Sequence, residues 1–527
     1  MRQQAFLDET LNIENNRLCE RSCLIPSEGM ARRQTWQCCS SCKFTWRMIT
    51  VEPILFLYMF ASNLQYPTFQ ALVYKKTCLQ LFNKTFCDDM GNKTFQKLHR
   101  DQQDVIQGDA SHWMLLSNVG MTLPTIFILL LFVGSWGDKV NRKLPILMPC
   151  AGTMVYNLLN LVNSYYIDWP LDYLMIGPVF DGMFGSYTGV MMGVYTYTTH
   201  VASSNQKTTR VAVVESMIFL AGTVSVFVSG LLLDAVGYVA VNGIVCGCVG
   251  LASLYGVFCL KSIKPEPTDQ PESCCRFWIL GALADTVRCV RRPRLKPYLA
   301  VIVLEIVVLN IMQMCTTGET DILFLFLARS PRSFTSVQYG YFKGTENFTR
   351  SIALLTLLPL LKHFFRLRDT TVVIIGITSK AAGLVILGLA KNLTMVFIVV
   401  VFAMLQGFPS AALRSNMSGL VDKNEQGRLF AIVAACEGLV NLVTTLIFNG
   451  WYPKTLDSFD GTCFEFAAGL CGLALLITCF IHFKLRVTVQ NESSFKQSQK
   501  ALEANCDSPV NTDIHTNTDG DICGTRL

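Results

Sequence analysis

Charge is what this chain has least of. Of 527 residues only 16% are Asp, Glu, Lys or Arg while 51% are hydrophobic, and soluble globular domains carry roughly a quarter charged residues. A chain of water-soluble domains is thereby excluded. Histidine is scarce too, with six copies, and although cysteine reaches 21, no Cys-x-x-Cys pair repeats at zinc spacing, so most cysteines read as small apolar fillers. No nucleophile stands beside a base and no phosphate-cradling glycine loop is present, so the pattern is not that of an enzyme. Neither a metal nor an organic cofactor is expected, and no nucleic acid is expected as a partner. The first 48 residues lack the n-region and h-region of a signal peptide.

What is present is a series of apolar stretches of about 20 residues, the length that crosses a bilayer. They fall at about 49–73, 112–135, 144–166, 171–197, 211–233, 239–260, 298–325, 338–361, 371–390, 394–413, 428–449 and 463–483. The pattern predicts an all-α membrane protein with twelve transmembrane helices. Basic residues concentrate in alternate connections: Lys139, Arg142 and Lys143; Lys207 and Arg210; the run from Lys261 to Lys296; Arg366, Arg368 and Lys423. By the positive-inside rule these connections are cytoplasmic, and so are both termini. The first outer loop agrees, because Asn83-Lys-Thr and Asn92-Lys-Thr are glycosylation acceptors that must face the lumen or exterior. Cys78 and Cys87 flank Asn83 on that oxidising side, where a local disulfide fits.

The expected organisation is a cytoplasmic tail over 1–48 and a six-helix half over 49–260. A cytoplasmic linker with an amphipathic helix follows over 261–297, then a second six-helix half over 298–483 and a disordered cytoplasmic tail over 484–527. Two halves with a faint repeat (Gln206 to Arg210 opening the fifth span, Gln426-Gly427-Arg428 opening the eleventh) fit alternating access around a site near the midplane. The expected partners are the lipid bilayer and a small solute, in a monomer or weak homo-oligomer.

Intramembrane charges are costly, about 2.5–3.5 kcal/mol each at the bilayer centre, and so point to function. The candidates are Asp181, Glu215, Glu305, Glu319, Asp321, Lys380, Arg414 and Glu437. Glu215 shares a heptad face with Gly222 and Ser229, and it is the candidate for proton coupling, the proton being the expected coupling ion. Arg414 cannot discharge itself and needs an anion, so it is a candidate for substrate binding or gating. Asp181 lies in line with Gly185, Gly189 and Gly193, a small-residue stripe that reads first as a packing face, with gating as its functional alternative. Lys380 and Glu437 are expected to pair between the ninth and eleventh spans, and Glu319 and Asp321 to sit near the outer rim.

The turn from Gly134 to Lys143, with Asp138 four residues before Arg142, reads as a latch between two helices. It resembles the signature between the second and third helices of the major facilitator superfamily, with Asn141 in place of a glycine. The resemblance sharpens over residues 50–485. Val51-Glu52-Pro53, Arg210 to Glu215, Asp321-Ile-Leu and the run from Leu413-Arg414 through Glu425-Gln426-Gly427 to Phe448-Asn449 and Tyr452-Pro453 resemble the proton-coupled folate transporter family. That family includes the thymic stromal cotransporter and a lysosomal sibling. The resemblance implies that its proton-coupling carboxylate falls on Glu215 and its tenth-helix arginine on Arg414. Its fourth-helix aspartate falls on Ser186, its seventh-helix histidine on Thr316 and an outer cysteine on Ser333. These departures turn the expectation from folate itself towards other organic anions, such as muropeptides and cyclic dinucleotides. The function expected is therefore proton-coupled symport of an anionic organic solute at the plasma membrane or an endosomal or lysosomal membrane. A proton antiporter exporting drugs is the first alternative, disfavoured by the absence of proline from 211 to 233, and a non-transporting receptor or scaffold is the second.

Overall fold

In the computed structural model, the residues described are 50–506 except 90–98, 134–140, 204–205, 264–295, 330–331, 333, 335, 423–424 and 456–458. Among them all regular structure is helical. The first half holds α1 (Glu52–Leu81), α2 (Lys84–Asp89), α3 (Arg100–Ile128, extended by a π-turn over Leu129–Val133), α4 (Leu144–Tyr165), α5 (Asp172–Phe184), α6 (Ser186–Val201) and α7 (Lys207–Cys259). The second holds α8 (Lys296–Ala328), α9 (Ser336–Ile352, continuing through a π-turn), α10 (Leu358–Phe365), α11 (Asp369–Gly388), α12 (Leu393–Phe402), α13 (Phe408–Gly419), α14 (Gln426–Thr455) and α15 (Thr462–Cys506). Nine helical stretches among the described residues are long and apolar enough to cross a membrane. Large apolar side chains such as Phe258, Phe364, Leu476 and Phe483 stand 80%, 71%, 70% and 69% exposed, the surface expected of a bundle whose solvent is lipid.

Local chemistry places the breaks. Gly237, at φ 74°, turns α7 into two arms, a conformation that costs glycine nothing. Gly185, at φ 100°, and Ser186, at φ 46°, separate α5 from α6. In the second half a turn over 403–407 separates α12 from α13 in the matching position. Neither the fourth nor the tenth apolar stretch is therefore one continuous helix. Prolines sit in the first turns of α1, α4 and α13, where the missing N–H has no intrahelical partner to lose.

The glycine stripe is a packing face, as expected. A Cβ at Gly189 would lie 2.8 Å from a side-chain atom of Pro149, and one at Gly193 would lie 2.8 Å from the backbone of Pro145, so α6 lies directly against α4. A Cβ at Gly182 would run into the Met121 carbonyl.

Two ends of the bundle can be distinguished by their connections. At the end rich in Lys and Arg, the turn that opens α4 is stapled to the close of α7. The Asn141 side chain accepts from the Lys143 backbone N–H at 3.0 Å and donates to Ser262 at 2.7 Å, and Lys143 Nζ donates to the Leu260 carbonyl at 3.1 Å. Asparagine thus serves this turn through its side chain. Arg142 is 1% exposed and its backbone N–H meets the Ile263 carbonyl. Asp138 lies outside the described residues, as do Ser333, the first tail and most of the linker.

At the opposite end, the Cys78–Cys87 disulfide is formed and Asn83 is exposed between its cysteines. Lys75 and Asp88 pair at 2.8 Å beside it, and that ammonium holds the Asp88 carboxyl below its ordinary value. Asn92 lies outside the described residues. The tail expected to be disordered from 484 instead begins as a continuation of α15 as far as Cys506. Its run of Lys, Gln, Glu and Ala carries helix propensity without an apolar stripe.

Candidate functional site

The site lies where the two halves meet and is built on four helical segments. Glu215 stands about two turns into α7. Arg414 stands on α13, with Ser410 one turn before it, and Glu437 on α14. Tyr195 comes from α6. The Arg414 guanidinium donates through one nitrogen to Glu215 at 3.0 Å and through the other to Glu437 at 2.6 Å. Its carbon lies 4.4 Å from the centroid of the Tyr195 ring, in cation–π contact. Glu215 Oε1 also accepts from the Tyr195 hydroxyl at 2.6 Å and from Ser410 at 2.5 Å, and Arg414 Nη1 donates to Ser410. Glu215 and Arg414 are 4% and 6% exposed. One cation thus sits between two carboxylates, a triad of net charge −1, and the Arg414–Glu215 bond ties the second half to the first.

Closer to the basic end the halves are joined again. Thr208 on α7 donates to Asp369 at 2.7 Å and lies 2.9 Å from the Ser415 hydroxyl, while Lys362 donates to Thr208 at 2.9 Å and pairs with Asp369. Lys207 reaches the Ser418 carbonyl at 3.4 Å, and Thr199 reaches Gln426 at 3.3 Å. The two halves are thus bolted together at this end.

The expected pairing of Lys380 with Glu437 is corrected. Lys380 pairs with Glu319 and donates to Gln406 at 2.8 Å, whereas Glu437 belongs to Arg414. Glu319 is accordingly 5% exposed. A lysine buried on α11 needs a carboxylate within reach, and α8 supplies one.

Asp181 and Ser186 are brought together, although away from Arg414 in the bonding pattern. Ser186 donates to one Asp181 oxygen at 2.7 Å and Thr153 to the other at 2.7 Å, with the Tyr58 hydroxyl 3.0 Å from Thr153. This carboxylate clamps the α5–α6 break to α4 and α1. Thr316 is not drawn into either cluster; its hydroxyl donates to the Met312 carbonyl one turn back. A cavity of about 100 Å³ opens beside the break, lined by Thr122, Thr125, Ser186, Tyr187, Gly438 and Asn441 among others. It is bounded by residues of both halves. Among the described residues no group of His, Cys, Asp and Glu has metal-holding geometry.

Sequence reasoning missed Tyr195, Ser410, Thr208 and Asp369. Ser410 had a signal, because it lies four residues before Arg414 and so on the same helix face. Tyr195 had none, since its role depends on how α6 packs against α7.

The comparisons with known proteins agree with this architecture. The chain is 26% identical over 82% of its length to a lysosomal proton-coupled steroid conjugate and bile acid symporter of Gallus gallus, covering 94% of that protein. It is 27% identical over 80% of its length to a proton-coupled folate transporter of Rattus norvegicus, covering 89% of it. The crystal structure of the human organic anion transporter MFSD10 superposes with a TM-score of 0.62 at 15% identity, over 81% of this chain and 97% of that one, a likeness of fold. The family model described as Major Facilitator Superfamily matches residues 52–445, most of the two halves, and the chain belongs to that superfamily.

Proposed function

We propose that this protein is a proton-coupled symporter of an anionic organic solute, working by alternating access with the proton carried on Glu215. The observation that supports it is the Arg414 triad: a carboxylate of one half bonded to an arginine of the other, in the interior, with a second carboxylate on the same guanidinium. Removing the charge of Glu215 by protonation weakens the tie between halves while Glu437 still holds Arg414 to its own half. Proton binding is then coupled to separation of the halves at the basic end. With two nitrogens of the guanidinium taken by carboxylates and one face covered by Tyr195, Arg414 acts as a gate. Asp181, Ser186 and Thr316 enter this reading as residues near the path, with Asp181 and Ser186 holding the break beside the cavity.

Twelve crossings follow if α1 and the interrupted pairs α5/α6 and α12/α13 are added to the nine long apolar stretches. The basic end is the cytoplasmic one, with both termini there, and the Asp138/Arg142 turn is its latch. The end bearing Asn83 faces the exterior or lumen. The curated relatives named above act, by name, on folate and on steroid conjugates and bile acids, so the solute class is an amphipathic organic anion. The protein resides in the plasma membrane or an endosomal or lysosomal membrane; the Gallus gallus relative is, by name, lysosomal.

The deciding measurement is uptake into proteoliposomes of labelled folate, a bile acid, a steroid sulfate, a muropeptide and a cyclic dinucleotide, each with and without an acid exterior. Acid-driven accumulation of at least one is expected. Equal flux at both pH values for every solute carried would remove the proton from the mechanism.

A further inference from the structure

A second buried triad, of opposite sign, lies in the second half and is used by nothing described so far. Glu346 on α9 accepts from Lys343 at 2.9 Å and from Arg350 at 2.7 Å, and its Oε1 also accepts from Gln406 at 2.7 Å. Gln406 in turn accepts from Lys380, whose charge is already balanced by Glu319. One carboxylate therefore sits between two cations, and one positive charge is left over in the interior. The Arg350 side chain is 6% exposed and its Nε has no hydrogen-bond partner. Its guanidinium carbon lies 4.5 Å over the Phe219 ring of α7, and Phe219 is one turn from Glu215. Lys343, two turns along α9 towards the Asn83 end, is the more open member, its side chain 16% exposed.

An uncompensated buried cation is costly in a membrane unless something anionic comes to it. Arg414 cannot be the receiver, because two carboxylates hold it. We propose that the anionic group of the solute, a carboxylate, sulfate or phosphate, docks between Lys343 and Arg350, on the order of 10 Å from Glu215 along the helix axes. This rests on the symport reading above and names the binding site within it.

Its consequence is a closed charge balance. In the empty protein the triads carry −1 and +1. With one proton on Glu215 the first becomes neutral, and with one anionic charge at Lys343 and Arg350 the second does too. Proton and anion load together without changing the charge of the interior. Helix α7 links the two events directly, since Arg350 rests on the residue one turn above the proton site.

The test uses full-length protein in proteoliposomes with an acid exterior, and estrone sulfate, folate and taurocholate as probes. For whichever probe is carried, Lys343→Gln and Arg350→Gln should each raise KM at least tenfold while acid-driven accumulation persists at saturating probe. Lys343→Arg should restore KM to within about threefold, which a loss of packing would not allow. A KM within twofold of wild type in both glutamine variants overturns the docking site. If Glu215→Gln abolishes acid drive in the same preparation, the symport reading stands without it. Retained acid drive in Glu215→Gln overturns the symport reading, and no uptake of any probe overturns both.

Discussion

Replacing Glu215 by Gln is the sharpest perturbation available, because the amide keeps the shape and one hydrogen-bond acceptor but can neither carry nor lose a proton. In the structure the Glu215 carboxylate lies 3.0 Å from the Arg414 guanidinium. Two charges about 4 Å apart at an effective dielectric near 20 attract by about 4 kcal/mol, an upper figure for a tie this buried. The variant should lose most of that cross-half tie permanently, as a protonated wild-type molecule does transiently. Each pH unit across the membrane is worth about 1.36 kcal/mol per proton, so a two-unit gradient can drive roughly 100-fold accumulation when one proton moves with each solute. Proteoliposomes with an acid exterior read the ratio directly, and counterflow at equal pH reads whether the halves still alternate. The expected result is a ratio that falls from tens to near one while counterflow persists. Accumulation above about tenfold in the variant would show that the proton travels elsewhere.

Arg414→Gln leaves Glu215 and Glu437 facing one another without their cation, which should cost about 3–5 kcal/mol and lower the melting temperature in detergent. Adding Glu437→Gln should recover part of that loss, and a double variant no more stable than the single would separate Glu437 from the triad. Gly182→Ala places a methyl into the Met121 carbonyl and should destabilise by about 1–3 kcal/mol, while Gly243→Ala, with open space at its Cβ, should not; equal melting temperatures would refute the packing. Asn83→Gln and Asn92→Gln should each remove a glycan, seen as faster migration that glycosidase treatment of wild type reproduces. A wild-type band unmoved by the enzyme would reverse the assigned sidedness.

Legibility followed the range of the interactions involved. Helix existence was readable because apolar length is a local property, and so was the small-residue face of α6, which recurs every four residues. The breaks were not. Gly185 stood in the stripe as a packing residue, yet its φ of 100° also ends α5, and the turn over 403–407 has no proline inside it to announce itself. Glu215, Lys380, Arg414 and Glu437 could be found one at a time, because cost in a membrane attaches to the residue, whereas Lys343, Glu346 and Arg350 were passed over in the polar opening of the eighth apolar stretch. Which charges meet could not, because Lys380 and Glu319 are 61 positions apart, and Arg414 and Glu215 are 199. The Lys380–Glu437 expectation failed for that reason: both lie in apolar spans, and nothing local says which neighbour α8 or α13 will bring.

The charges left inside this bundle are hard to justify by stability alone. Buried ion pairs generally do no better than apolar residues of similar volume, and here neither triad is even neutral. A structural pair would be expected to close its own balance, as Lys380 and Glu319 do. The Arg414 triad instead keeps an extra carboxylate, and the Glu346 triad keeps an extra cation. One imbalance invites a proton and the other an anion. Because Arg350 lies over Phe219, one turn from Glu215, the two imbalances share helix α7, and filling one changes the field at the other. A protein needing only a stable fold gains nothing from holding both; a symporter gains the linkage between its two cargoes.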